Sequence, residues 1–150
     1  MQEARADDLA TRVWFRLIRL ESRLAAAVAE RLREINLSVP QCDVLTTLSE
    51  AEGVSQQALA QRLYVTKGNI SGLLDRLETA RLVERRSTAA DRRSYEIHLT
   101  AAGREAALRA IAIQHELIRA TFGRMGAQDL ESLERMLVTV RDHLRASETA

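Results

Sequence analysis

Aromatic side chains are nearly absent from this 150-residue chain: two Phe, two Tyr and one Trp make up 3% of it. A hydrophobic core must then be assembled from Leu, Ile, Val and Ala, and the length suffices for one ordinary domain. Cysteine occurs once, as Cys42, which excludes an internal disulfide and fits a reducing cytosol. No run approaches the roughly 18 apolar residues of a membrane span. The polar start MQEARADDLA lacks the apolar segment of a signal peptide. The expectation is a soluble, cytoplasmic protein with no membrane partner. Catalytic motifs are missing as well: no Gly-rich phosphate loop after a strand, no HExxH, no CxxC, no nucleophile with base and orienter. The three histidines, His98, His115 and His143, are scattered, so neither a metal site nor a cofactor is expected. An enzyme finds nothing to stand on here.

Charge is present in both signs and nearly balanced, at a net +1. Its distribution is less even: residues 62–98 hold eight basic and five acidic side chains, a local +3 against −2 for the rest. That mild asymmetry singles out one segment as a candidate surface for a polyanion. Hydrophobic spacing assigns the remainder to helices. Leu9, Val13, Leu17, Leu20, Leu24, Val28 and Leu32 mark a long first helix over residues 8–34. Ser38-Val39-Pro40-Gln41 reads as a helix start with a capping box, opening a second helix that Gly53 breaks. Ser55 caps a short third helix to Leu63, and Thr66 a fourth over 67–80 with the apolar stripe Ile70, Leu73, Leu74 and Leu77. Two short strands follow, Leu82–Arg86 and Tyr95–Leu99, joined by the polar tip that carries Asp91-Arg92-Arg93. Thr100 caps a fifth helix with a seam of Leu108, Ile111, His115, Ile118, Phe122 and Met125. A sixth helix after Gly126 repeats the pattern in Leu130, Leu133, Leu137, Val140 and Leu144. These terminal seams exceed what a small central module can cover, and dimerisation is their natural outlet; an intramolecular bundle is the competing solution.

A short helix, a tight turn at Tyr64-Val65, a second helix and a hairpin form the winged-helix arrangement, whose second helix enters the major groove of DNA. Together with LSVPQ, SQQALAQRLYVTKGNISGLLDRLE, LVERR, DRRS and LTAAG, the order of elements resembles the MarR family of bacterial transcription regulators over nearly the whole chain. The resemblance implies a mainly α fold with a small β-hairpin wing. In it, a winged helix-turn-helix lobe at 37–100 is flanked by dimerisation helices at 1–36 and 101–147. It also implies a homodimer that binds a pseudo-palindromic operator, with two recognition helices in successive major grooves and each wing in a flanking minor groove. Carried over by position, Arg93 is the minor-groove arginine, Arg92 lies on phosphate and Asp91 orients or braces them; a narrow electronegative groove favours a guanidinium by shape. A solvated Asp–Arg pair at the tip, weak in water, is the plain alternative.

Within the fourth helix, Thr66, Lys67, Asn69, Ser71 and Arg76 lie off the apolar stripe and are able to meet DNA. Asn69 suits bidentate pairing with adenine, while Lys67 and Ser71 equally suit phosphate. Ser55 and Gln56, at the start of the third helix, are candidate backbone contacts. Gly68 and Gly72 project opposite the buried stripe, each costing roughly 1 kcal/mol against Ala; relatives often carry arginine where Gly72 stands, and glycine where Arg81 stands. Many relatives release DNA when a small, often phenolic, anion binds. By position Trp14, Ile18, Asp43, Leu48 and His115 would line that inducer site. Trp14, Ile18 and His115 also have the spacing of plain core, and Asp43 that of a first-turn acid favouring the helix dipole. Peroxide-sensing relatives carry a reactive cysteine near the start of the first helix, where Trp14 stands here, so Cys42 reads as a buried thiol. The competing function is a winged-helix interaction module or antirepressor that does not read DNA; such a module has no need of Asp91-Arg92-Arg93 or of a polar face on the fourth helix.

Overall fold

Helix α1 (Gln2–Arg33) opens the computed structural model, which describes residues 2–87 and 95–148, with side chains from residue 7 onward. Its apolar stripe sinks progressively: Leu9, Val13, Leu17 and Leu20 are exposed, while Leu32 is fully buried against the elements that follow. Helix α2 (Val39–Glu50) begins as the capping box requires: Ser38 N–H donates to Gln41 Oε1 at 2.9 Å and Gln41 N–H to Ser38 Oγ at 3.4 Å. Its first turn contains no acid, so Asp43 lies one turn later than the dipole argument placed it.

A strand of two residues, β1 (Val54–Ser55), follows and was not expected. It pairs antiparallel with β3 (Tyr95–Leu99), whose other neighbour is β2 (Val83–Ser87), so the hairpin becomes a three-stranded sheet in the order β1-β3-β2. Gly53, at φ +72°, makes the turn into β1 and donates its N–H to Ile97 O at 3.1 Å. Between β1 and β2 run α3 (Gln56–Arg62) and α4 (Lys67–Thr79), which pack on each other and on the sheet. Ile70, Leu73, Leu74 and Leu77 are buried as their spacing predicts, beside Val44, Leu45, Leu48, Leu59, Val83, Ile97 and Leu99. No aromatic and no polar side chain is buried among the described residues, so the core is aliphatic, as the composition required.

Helix α5 (Ala101–Ala120) has a second, inward face besides the expected seam. It buries Gly103, Ala106, Ala107, Ala110 and Ile113, whereas Leu108 and Ile118 of the expected seam are exposed. The small residues allow close packing on one side and leave the large ones outward. Phe122–Arg124 is a separate 3-10 turn instead of a continuation of α5. Helix α6 (Ala127–Glu148) has no buried residue, and Leu137, Val140 and Leu144 stand exposed. The chain packs as two compact units, one ending at Ile113 and one beginning at Gln114. Within the second, Phe122, Leu130, Leu133, Leu137 and Val138 line an apolar groove of about 420 Å³. Among the described residues, no helix is long and apolar enough to cross a membrane.

Candidate nucleic-acid interface

The start of α4 is built by a side-chain cap. Thr66 Oγ1 accepts the N–H of Asn69 at 3.2 Å, and at α3 Ser55 Oγ accepts the N–H of Ala58 at 3.1 Å. An accepting hydroxyl keeps its own O–H free to donate, so both caps remain able to bind a phosphate oxygen. With the apolar stripe turned inward, Thr66, Lys67, Asn69 and Arg76 are exposed, while Ser71, Gln56 and Ser55 are half-buried. The fourth helix therefore presents a polar, net-capable face beside two helix starts. A Cβ added at Gly68 or Gly72 would meet nothing within 4 Å. The two glycines floor a shallow groove of about 330 Å³ that Pro40, Val65, Asn69, Leu73 and Arg76 complete.

Both helices of the module end without glycine. Tyr64 (φ 54°) and Arg81 (φ 57°) take the left-handed position that closes α3 and α4. Arg81 N–H donates to Glu78 O and Leu82 N–H to Leu77 O, each at 2.9 Å, the paired bonds of a Schellman ending. Beyond it, Thr100 ties three elements together. Its N–H donates to Leu82 O at 3.1 Å, its hydroxyl donates to Arg81 O at 2.7 Å, and it accepts from Gly103 N–H at 3.0 Å as the cap of α5. Glu52 adds a second tie: Oε1 accepts from Leu99 N–H at 2.9 Å and Oε2 pairs with Arg104 Nη1 at 2.5 Å. The hydrogen bond from Arg104 holds the Glu52 carboxyl below its ordinary range.

The wing strands leave this base with an unexpected brace. Arg85 of β2 pairs with two carboxylates of α4, Nη2 to Asp75 Oδ1 at 2.6 Å and Nη1 to Glu78 Oε2 at 2.5 Å. Burial works against its charge, but the two acids more than compensate and hold the guanidinium above its ordinary range. Arg86 pairs with Glu84 on the same strand. The tip residues Asp91, Arg92 and Arg93 lie outside the described residues. Arg85 was not foreseen, because Asp75 and Glu78 meet it across elements and at no fixed spacing.

The inducer candidates differ in exposure. Trp14 (60% exposed) and Ile18 (44%) stand on the open face of α1, so neither is core in the single chain. His115 and Asp43 are exposed as well in the single chain. Leu48 is fully buried and offers no surface to a ligand. Cys42 is buried, and desolvation, with a smaller push from Asp43, raises its thiol to about 11. Such a thiol is almost entirely protonated near neutrality and is a poor nucleophile. No cluster of three or more His, Cys, Asp or Glu able to hold a metal occurs among the described residues.

Comparison with known proteins agrees with this geometry. The model of the MarR family matches residues 35–94, from just after α1 to just before β3. The transcriptional regulator HosA of Escherichia coli O127:H6 is 32% identical over 96 residues, 64% of this chain and 71% of that protein. AbsC, a MarR family transcriptional regulator from Streptomyces coelicolor, superimposes with a TM-score of 0.83 at 25% identity, covering 93% of this chain and 96% of its own. FabT of Streptococcus pneumoniae, solved in complex with DNA, has the same fold at 19% identity, with a TM-score of 0.82 over 91% of this chain and 98% of its own. The matched segment holds α2, α3, the capped α4 and β2, and the matched proteins are transcriptional regulators. The chain belongs to the MarR family of winged-helix, DNA-binding transcriptional regulators.

Proposed function

We propose that the chain works as a homodimeric repressor of a pseudo-palindromic operator, released by a small anionic, phenolic-type inducer. The observation that carries the operator reading is α4: a buried aliphatic stripe on one side and exposed Thr66, Lys67, Asn69 and Arg76 on the other. In this reading α4 enters the major groove, where Asn69 and Arg76 read base edges and Lys67, Ser71, Ser55 and Gln56 hold phosphates. The wing carries Arg93 into the flanking minor groove, with Arg92 on phosphate and Asp91 bracing them. FabT, solved with DNA on the same fold, supports it.

Residues 1–36 and 101–147 serve as dimerisation helices around the lobe 37–100. Supporting this is the apolar surface that the single chain leaves open on α1, where Leu9, Val13, Trp14, Phe15 and Leu20 are about half-exposed or more, and on α6. Of the inducer candidates, Trp14, Ile18, Asp43 and His115 each have exposed surface to offer a ligand.

Selection of bound duplexes from a random pool tests the reading, followed by salt-dependent anisotropy on the winner with wild type and Arg93→Ala. Enrichment of a two-fold symmetric site is expected, with a steep negative salt slope that Arg93→Ala reduces by roughly one per subunit. If no duplex is enriched and binding stays weak and indifferent to sequence, the operator reading fails, and a protein-binding or antirepressor role replaces it.

A further inference from the structure

The register of the sheet puts an arginine where the fold calls for an apolar side chain. Val83 pairs with Leu99 and Arg85 with Ile97, and partners directly opposite each other share a face. Val83, Leu99 and Ile97 are all buried on that face, under α4 and its neighbours. Arg85 is therefore the next core-facing position of β2, with its side chain 18% exposed. Asp75 and Glu78, one helical turn apart on α4, answer it with one carboxylate on each of the two terminal guanidinium nitrogens. Glu78 also accepts the Arg85 backbone N–H at 3.4 Å, so one carboxylate grips both the strand and the side chain.

As a source of stability this is a poor choice, since the Asp75 and Glu78 side chains stay 63% and 42% exposed and water screens such pairs. What a planar fork offers over an apolar contact is direction: two bonds at fixed angles, where hydrophobic packing tolerates sliding. The wing is already hinged to α4 at the Leu77–Leu82 bond, and the fork lies outward of that hinge, where the strand begins to leave the body. We propose that Arg85 is a positioning residue for DNA recognition, which fixes the angle of the wing to α4 and so sets how strongly the flanks of the operator are read. This rests on the operator reading above, in which the wing meets the flanking minor groove.

The test compares one core operator carrying A/T-rich or G/C-rich flanks under the wings, and reads the ratio of the two Kd values. Wild type is expected to prefer the A/T-rich flanks by about tenfold. In the variant Arg85→Met with Asp75→Asn and Glu78→Gln, the charges vanish together, and no acid is left unpaired. An unchanged Tm with the preference reduced to less than about threefold supports the positioning role. An unchanged preference overturns it and leaves the fork as packing alone. Should that variant fold poorly, Arg85→Lys keeps the charge and stem but not the fork, and a full preference in folded Arg85→Lys equally overturns the proposal. Indifference of the wild type to its flanks sinks the wing reading itself, and is seen before any variant is made.

Discussion

Two kinds of glycine show how much a single hydrogen decides. A Cβ on Gly103 would lie 1.8 Å from the backbone oxygen of Leu82, a contact that no side-chain rotation can relieve. Gly103→Ala is therefore expected to cost about 3 kcal/mol or more, read as a collapse of the urea midpoint. The LTAAG motif thus marks a packing requirement at the joint of wing, α4 and α5. Gly72 faces open space, so Gly72→Ala should raise stability by roughly 1 kcal/mol. If the bare face lets the helix sit deep in the groove, the same variant weakens operator binding while it stabilises the free protein. Tighter binding together with raised stability would eliminate close approach as the reason for Gly72. The sequence singled out Gly72 and carried Gly103 only inside LTAAG; backbone proximity is what separates them, and proximity is not written in spacing.

At the scale of elements, helix starts were legible and helix ends less so. Ser38, Ser55, Thr66 and Thr100 all cap as read, because a hydroxyl followed by a free N–H is a local event. The ends at Tyr64 and Arg81 use left-handed backbone that glycine would adopt more cheaply. Tyr64 is 93% exposed and Arg81 is exposed as well, so little packing is lost on replacement. Tyr64→Gly and Arg81→Gly should each raise stability by about 0.5–1 kcal/mol in denaturant titrations, with Ala at either position bringing no comparable gain. A drop in both midpoints would show that these side chains make contacts worth more than the backbone cost. Two features went unread for physical reasons. A two-residue strand such as β1 has no periodicity to detect, and its Ser55 already carried a cap signal. On α5 the spacing of Leu and Ile marked the outward seam, whereas the inward Gly103–Ala106–Ala110 side is made of small residues whose close packing leaves no periodic signal. The fork at Arg85 was invisible for a third reason, since its partners are brought together by topology and not by repeat.

At the scale of the whole molecule, the unpartnered surface of α1 makes stability a matter of concentration. If a second copy covers that face, the melting temperature must climb with protein concentration, because association adds free energy to the folded state alone. Val13→Glu, placed at a half-exposed position, should leave the single chain folded yet convert a sedimenting dimer into a monomer. It should also cost operator affinity heavily, since two half-sites would then be bound independently. A wild type that sediments as a monomer at micromolar concentration contradicts the dimer. The sheet has a consequence of its own. Because β3 lies between β1 and β2, both outer strands are open to newcomers, but one is two residues long and the other bears Glu84, Arg85 and Arg86 in ion pairs. A short edge and a row of engaged charges are poor templates for a foreign strand. Molecules crowded wing to wing along one stretch of DNA would therefore stay discrete particles, and could leave it one at a time.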